Sequence, residues 1–255
     1  MNLRLPTINL EKYKSASQRA RVGTESWGSS NFFCSSCESP RLEQASRNTA
    51  AFDFACPICK STFQLKSQSK LVGTKIVDAA YSEMKRAILE DRTPNLFVLH
   101  YDLFAWTVRT VVLIPRFAFA LSALERRKPL SLNARRAGWV GCNILLGQIP
   151  QDARISVIQD GIPRPPSEVR QAYQRLRPLE NLKVEQRGWT LDVLEIVRSL
   201  GRSEFTLREI YSHAGTLARL HPHNSHVHDK IRQQLQVLRD LGLLIFLGSG
   251  SYRLV

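Results

Sequence analysis

Residues 50–67 read AAFDFACPICKSTFQLKS, and the way this stretch pairs with itself decides the fold. Thr49–Ala55 and Ser61–Ser67 each alternate apolar and polar side chains at period two, the pattern of half-buried strands. Phe52 and Phe54 share one face of the first strand and leave Asp53 on the other. Phe63 and Leu65 share a face of the second and leave Gln64 and Lys66 opposite. Turning the phenylalanines onto a core therefore gathers Asp53, Gln64 and Lys66 on one open surface. The connection between the strands is Cys56-Pro57-Ile58-Cys59, half of a metal-binding pattern.

The other half lies upstream. Cys34 and Cys37 complete the pattern C-x2-C-x18-C-x2-C, a spacing that lets two tight knuckles offer four thiolates to one tetrahedral Zn2+. With Cys34, Cys37, Cys56 and Cys59 filling all four positions, the zinc is expected to be structural. The fifth cysteine, Cys142, reads as a small buried apolar residue.

At 255 residues the chain is long enough for a real core and for two domains. Lys and Arg number 36 against 22 Asp and Glu, a net charge of +14 with a pI near 10.0. Such an excess points to a polyanion, nucleic acid first. Anionic membrane is the lesser candidate, because no long basic amphipathic helix is present. The apolar runs around Thr110–Ile114 and Phe117–Leu124 are far too short to span a bilayer. The opening MNLRLPTINLEKYK lacks the apolar core of a secretory signal. A cytoplasmic, reducing setting is expected, where cysteines hold metal rather than form disulfides.

Taken in order, residues 8–28 read as an amphipathic helix with Tyr13, Ala20 and Trp27 inward. Residues 75–91 carry Ile76, Val77, Ala80, Met84, Ala87 and Ile88 as a helical stripe. Pro94–His100, Trp106–Ile114 and residues 155–159 read as strands, and Pro166–Leu179 as a charged helix. This order predicts an α/β (α+β) domain with a mixed sheet covered by helices over residues 1–182. Between Arg116 and Arg136 six basic residues face a single acid, Glu125, and the run ends at Ala137-Gly138-Trp139, an aromatic on a glycine turn suited to DNA contact.

The pattern changes over residues 183–255. Thr190 is placed to cap one helix that Gly201 ends, and Thr206-x-x-Glu209 is a capping box for a second. A third runs from about Ser225 to Gly242 with Val227, Ile231, Leu235, Leu238 and Leu241 inward. Leu243–Leu247, a Gly248-Ser249-Gly250 turn and Ser251–Leu254 form a hairpin. Three helices and a hairpin make a winged helix-turn-helix, whose third helix enters the major groove. Asn224, Ser225, His226, His228, Lys230 and Arg232 are its candidate DNA-binding residues. His221, His223, His226 and His228 read as DNA contacts or plain surface rather than a metal site.

Asp53-x10-Gln64-x-Lys66 has the layout of PD-(D/E)xK nucleases. In that layout two acidic residues of a hairpin hold Mg2+, and the lysine positions and polarises the attacking water. Phosphodiester hydrolysis needs its negative charge neutralised and a hydroxide-like nucleophile at neutral pH. Here Phe52 stands in place of the proline and Gln64 in place of the second acid, so Mg2+ should bind more weakly. Its expected ligands are Asp53, the amide oxygen of Gln64 and the backbone carbonyl of Leu65.

The chain resembles the DpnI family of methyl-directed type II restriction endonucleases. The resemblance runs through YKSASQRARVGTESW, the four cysteines interleaved with DFAC and FQLKS, RKPLSLNARRAGWVGCNI, VIQDG, RGWTLDVL, SEFTL and IRQQLQVLRD. It implies a PD-(D/E)xK domain with structural zinc, a C-terminal winged helix, and blunt Mg2+-dependent cutting of double-stranded GATC carrying methylated adenine. It also implies that both domains read the methylated site and that no protein partner is required, the chain acting as a monomer. Asp53 and Lys66 match the family's catalytic pair, and Gln64 falls where the family has a glutamate. Trp139, flanked by Arg135 and Arg136, matches a tryptophan that reaches into the DNA beside the methylated bases. Two competing readings are a methylated-DNA-binding protein without cleavage and a winged-helix regulator, which would leave Asp53, Lys66 and the sheet without a role.

Overall fold

The computed structural model describes residues 1–7, 10–46 and 52–255. The first elements are α1 (Ala16–Asn31), β1 (Glu43–Gln44), β2 (Phe54–Ala55), β3 (Thr62–Gln68), β4 (Lys75–Ala80) and α2 (Tyr81–Leu89). Then come β5 (Asn95–Asp102), β6 (Thr107–Ile114), β7 (Leu124–Arg126), β8 (Gly141–Leu145), β9 (Ile155–Gln159), β10 (Ile162–Pro163) and α3 (Pro166–Leu176). The last third holds α4 (Val184–Ser199), β11 (Glu204–Thr206), α5 (Leu207–Tyr211), α6 (Ala214–Leu220), α7 (Val227–Asp240), β12 (Leu244–Gly248) and β13 (Ser251–Leu254). By contact the chain divides into two compact units. One comprises residues 1–76, 93–116 and 152–177; the other comprises 77–92, 117–151 and 178–255.

The first unit is built on the expected mixed sheet, in the order β1-β2-β3-β5-β6-β9-β10. β3 and β5 run parallel, with Phe63 beside Asn95 and Lys66 beside Val98, while the remaining neighbours are antiparallel. Its core is aromatic: Phe32 stacks on Phe97 at 4.0 Å and meets Phe54 edge-on at 5.5 Å, while Phe63 stacks on Phe97 at 5.4 Å. Helix α1 starts at Ala16; Ile8 and Asn9 of the expected helix lie outside the described residues. It lies on β3, where Thr24 donates to the Ser67 hydroxyl at 3.0 Å. Trp27 is buried, and Tyr13 and Ala20 are half-buried. Asn95 ties three segments together: its Nδ2 donates to the Thr62 carbonyl, and its Oδ1 accepts from the Tyr173 hydroxyl of α3 and the Arg116 N–H.

The second unit, which begins within β4 at Val77, is built on two small sheets, β4-β8-β7 and β11-β13-β12. Residues 75–91 do not form one helix. Ile76 and Asp78 are buried at alternate positions of β4, and only from Tyr81 does the backbone turn helical. The β-branched pair Ile76-Val77 fits a pleated surface better than a helix, and a sheet neighbour, β8, is available. The C-terminal part has the winged-helix order: α4, the α5–α6 pair, α7, and the β12–β13 wing. The capping box at Thr206 and Glu209 is present, and Gly201 and Gly242, at φ of 69° and 72°, end α4 and α7. Thr190 is not a cap. Helix α4 already begins at Val184, with Lys183 at the cap position, and the Thr190 hydroxyl donates instead to the Gln186 carbonyl and the buried Gln234 side chain. Helix α7 begins at Val227, and buries Ile231, Gln234, Leu235 and Leu238, with Val227 and Leu241 half-buried.

Candidate active site and DNA-reading surfaces

The two knuckles converge as their spacing predicts. The sulfurs of Cys34, Cys37, Cys56 and Cys59 all lie within 4.8 Å of one another, and none is in a disulfide. Cys34 Sγ stands 3.5 Å from Cys59 Sγ, and Cys37 Sγ stands 3.6 Å from Cys56 Sγ. A tetrahedron of Zn–S bonds near 2.3 Å puts sulfurs about 3.8 Å apart, so this group fits zinc. Burial pushes the Cys34 thiol up. At Cys56 burial also opposes ionisation, but hydrogen bonds from the N–H groups of Cys59 and Ile58 and from the thiols of Cys59 and Cys37 together bring the thiol down to about 6. A backbone bond from Cys56 N–H to the Ser61 carbonyl at 2.9 Å closes the second knuckle, and Lys60 at φ 61° turns it. The first knuckle is held from α3: Arg170 donates to the carbonyls of Cys34 and Ser39 and pairs with Glu38 at 2.9 Å.

The second knuckle is the turn of the hairpin on which the acid and lysine sit. Of the expected first strand only Phe54–Ala55 has ladder geometry, residues 49–51 lying outside the described residues. Asp53 explains where pairing stops. Its N–H still donates to the Phe63 carbonyl at 2.9 Å, but its carboxylate Oδ2, not a backbone carbonyl, accepts the Leu65 N–H at 2.7 Å. The side chain replaces one rung and is thereby oriented on β3. Phe54 and Phe63 are fully buried on the core side, while Asp53, Gln64 and Lys66 are half-buried. Phe52 and Leu65 are half-buried as well, so the core face is less complete than the alternation implies.

The same edge holds two residues that sequence reading missed. On α1, Arg21 bonds to Glu25 at 2.6 Å, and Glu25 keeps only 16% side-chain exposure. The Arg21 guanidinium is held above its ordinary value chiefly by Glu25, with the charge of Asp53 adding to it. The i,i+4 spacing is visible in the sequence; what it faces is not.

In the other unit, Trp139 is neither free nor in the core. It is half-buried, lying so close over Gly141 that a Cβ there would come within 2.8 Å of the indole, with the Arg136 guanidinium 4.9 Å from its ring centre. Gly138 at φ 76° makes the turn that presents it. Arg135 and Arg136 are exposed. Of the residues expected on the third helix, Asn224, Ser225 and His226 lie in the turn before α7; Ser225, His226, His228 and Arg232 are exposed and Asn224 and Lys230 half-buried. Asn224 Oδ1 accepts the His226 N–H at 2.9 Å, and His228 and Arg232 both lie against Tyr211. His221 is not a surface contact: its ring stacks on Trp189 at 3.8 Å and its Nε2 bonds the buried Asp192 at 2.8 Å.

Two family models match the chain. The Dam-replacing family DpnI covers residues 1–182, and the Dam-replacing HTH domain covers residues 185–254.

Proposed function

From the premise that the chain belongs to the DpnI (Dam-replacing) family, we propose that it is a methyl-directed restriction endonuclease that cuts double-stranded GATC carrying methylated adenine, leaving blunt ends. The nuclease domain is 1–182, the winged-helix reader 183–255, and the work is cytoplasmic and done by a monomer. No helix among the described residues is long and apolar enough to cross a membrane. The single observation that carries the reading is the Asp53 carboxylate anchored by the Leu65 N–H on the strand that also bears Gln64 and Lys66.

In this reading Asp53, the Gln64 amide oxygen and the Leu65 carbonyl hold Mg2+. A strand residue turns its N–H and C=O to the same edge, so the Leu65 carbonyl shares the edge at which Asp53 takes its N–H. Bound Mg2+ supplies charge neutralisation at the scissile phosphate and a more acidic water. Asp53 is oriented before substrate arrives, which spares reorganisation during the reaction. Lys66 orients the attacking water and offsets phosphate charge, and Gln64 contributes a ligand without a charge. The four-cysteine group holds the hairpin in shape and touches no reacting atom.

Base reading belongs to the second unit. Arg135, Arg136 and residues 224–232, which run from the turn before α7 into its first turns, bind phosphates and base edges, and Trp139 covers the adenine methyl, a gain on the order of 1 kcal/mol per methyl. The test is to separate cutting from binding. Asp53→Ala and Lys66→Ala should abolish cleavage of methylated DNA and leave its affinity close to wild type. Cleavage surviving in both variants would remove the assignment, and loss of binding in both would show that these residues hold DNA rather than cut it.

A further inference from the structure

The loop between β7 and β8 carries a feature that the proposed chemistry does not use. Leu132 is 90% exposed and its neighbour Leu130 is 39% exposed. A lone exposed leucine is ordinary on a protein surface; what distinguishes this one is its mounting. The Ala134 N–H donates to the Ser131 carbonyl at 3.0 Å, so Leu132 occupies the first corner of a tight turn. A second turn follows, closed by Trp139 N–H to the Arg136 carbonyl at 3.1 Å. Both turns are tied to the loop's stem by Leu130 N–H to the Trp139 carbonyl and by Gly138 N–H to the Leu130 carbonyl, at 2.9 and 3.1 Å. The leucine is thus held out on a backbone already ordered, which lowers the entropic cost of using it in binding.

Its surroundings specify the partner's charge. Arg127, Lys128, Arg135 and Arg136 are exposed on the same loop and Arg126 at the end of β7, and the one acid of this stretch, Glu125 of β7, accepts from Asn143 at 2.6 Å. Cations that dense attract phosphates, and apolar side chains presented among such cations are the groups that proteins drive between base steps. Trp139 lies back over Gly141 beneath Arg136, so Leu132 is the apolar group that leads outward from this loop.

We propose that Leu132 is a wedge that enters duplex DNA at one base step and unstacks it when the basic loop binds. The inference rests on the reading of this loop as a DNA-reading surface. The test uses the full-length Asp53→Ala chain, which leaves DNA uncut, and a methylated GATC duplex with 2-aminopurine placed in turn at each position in and beside the site. At saturating protein, the parent should brighten the probe at one step, as should Leu132→Met. Leu132→Ala should lose that brightening and bind roughly tenfold more weakly, from the apolar carbons removed. Since Leu132 is exposed, its truncation takes nothing from the core. Unchanged brightening in Leu132→Ala, or no brightening at any position with the parent, overturns the wedge and leaves methylated-DNA reading intact. Failure of the parent to bind the methylated duplex overturns both.

Discussion

Gly28 sits in α1 above the phenylalanines that support the hairpin proposed to carry the catalytic residues, and replacing it with alanine tests that support directly. A methyl group there would fall 2.7 Å from Phe54 Cζ and 2.8 and 2.9 Å from ring carbons of Phe32. Carbon atoms settle about 3.5–4.0 Å apart, so the rings must retreat by about 1 Å. Neither has room to do so: Phe54 and Phe32 are 0% and 1% exposed, and Phe32 is already stacked on Phe97. Alanine gains about 1 kcal/mol of helix propensity over glycine, and overpacking a filled core costs about 1–3 kcal/mol. Three contacts against fixed rings favour the upper part of that range, for a net loss of about 1–2 kcal/mol. Gly188, inside α4, is the control, because a methyl there meets only Ala120 Cβ, at 3.9 Å. Gly188→Ala should stabilise by up to about 1 kcal/mol. At about 2–4 °C per kcal/mol for a chain of this size, calorimetry should show Tm falling in the first variant and rising in the second. Because Phe54 follows Asp53, Gly28→Ala should also cut more slowly at a temperature where it is fully folded. Equal stabilisation of the two variants would refute the reasoning.

Three other outcomes are expected. Cys56→Ser removes one of the four sulfurs from a site whose zinc would contribute roughly 10–16 kcal/mol of apparent folding free energy; elemental analysis should find one zinc per wild-type chain, and the variant should lose both zinc and the folded hairpin. Gln64→Glu restores a carboxylate beside Asp53 and should keep cleavage while lowering the Mg2+ concentration for half-maximal rate, read from a titration. Gly141→Ala places a methyl 2.8 Å from the Trp139 indole and should shrink the affinity ratio between methylated and unmethylated duplexes, measured by anisotropy, far more than it changes Tm.

The cysteine quartet is legible in the sequence because ligand spacing is a local constraint that the sheet has only to respect. The mixed sheet is legible too, since β6 and β9 are apolar runs rich in β-branched residues and β5 is an apolar run of Leu, Phe and Val. The strand that carries Asp53 is only partly so. Alternation in Thr49–Ala55 predicts a full strand, yet a carboxylate can compete with the backbone for an N–H, and Asp53 does so at Leu65. Residues 75–91 mislead for a different reason: Ile76, Val77 and Ala80 fit a helical stripe as well as a strand, and only the presence of β8 decides between them. Thr190 has the chemistry of a cap, and its burial against Gln234 depends on α7, which lies far along the chain. The pairing of Arg21 with Glu25 beside Asp53 has a visible spacing, but the edge it faces exists only once β2 and β3 are folded.

The most direct measurement takes one plasmid, prepared with and without adenine methylation at GATC, and incubates each form with the full-length protein in the presence and absence of Mg2+. Blunt fragments from the methylated plasmid alone, and with Mg2+ alone, are the predicted result. No cutting of the methylated plasmid at any Mg2+ or Mn2+ concentration, or equal cutting of both plasmids, would contradict the proposed activity.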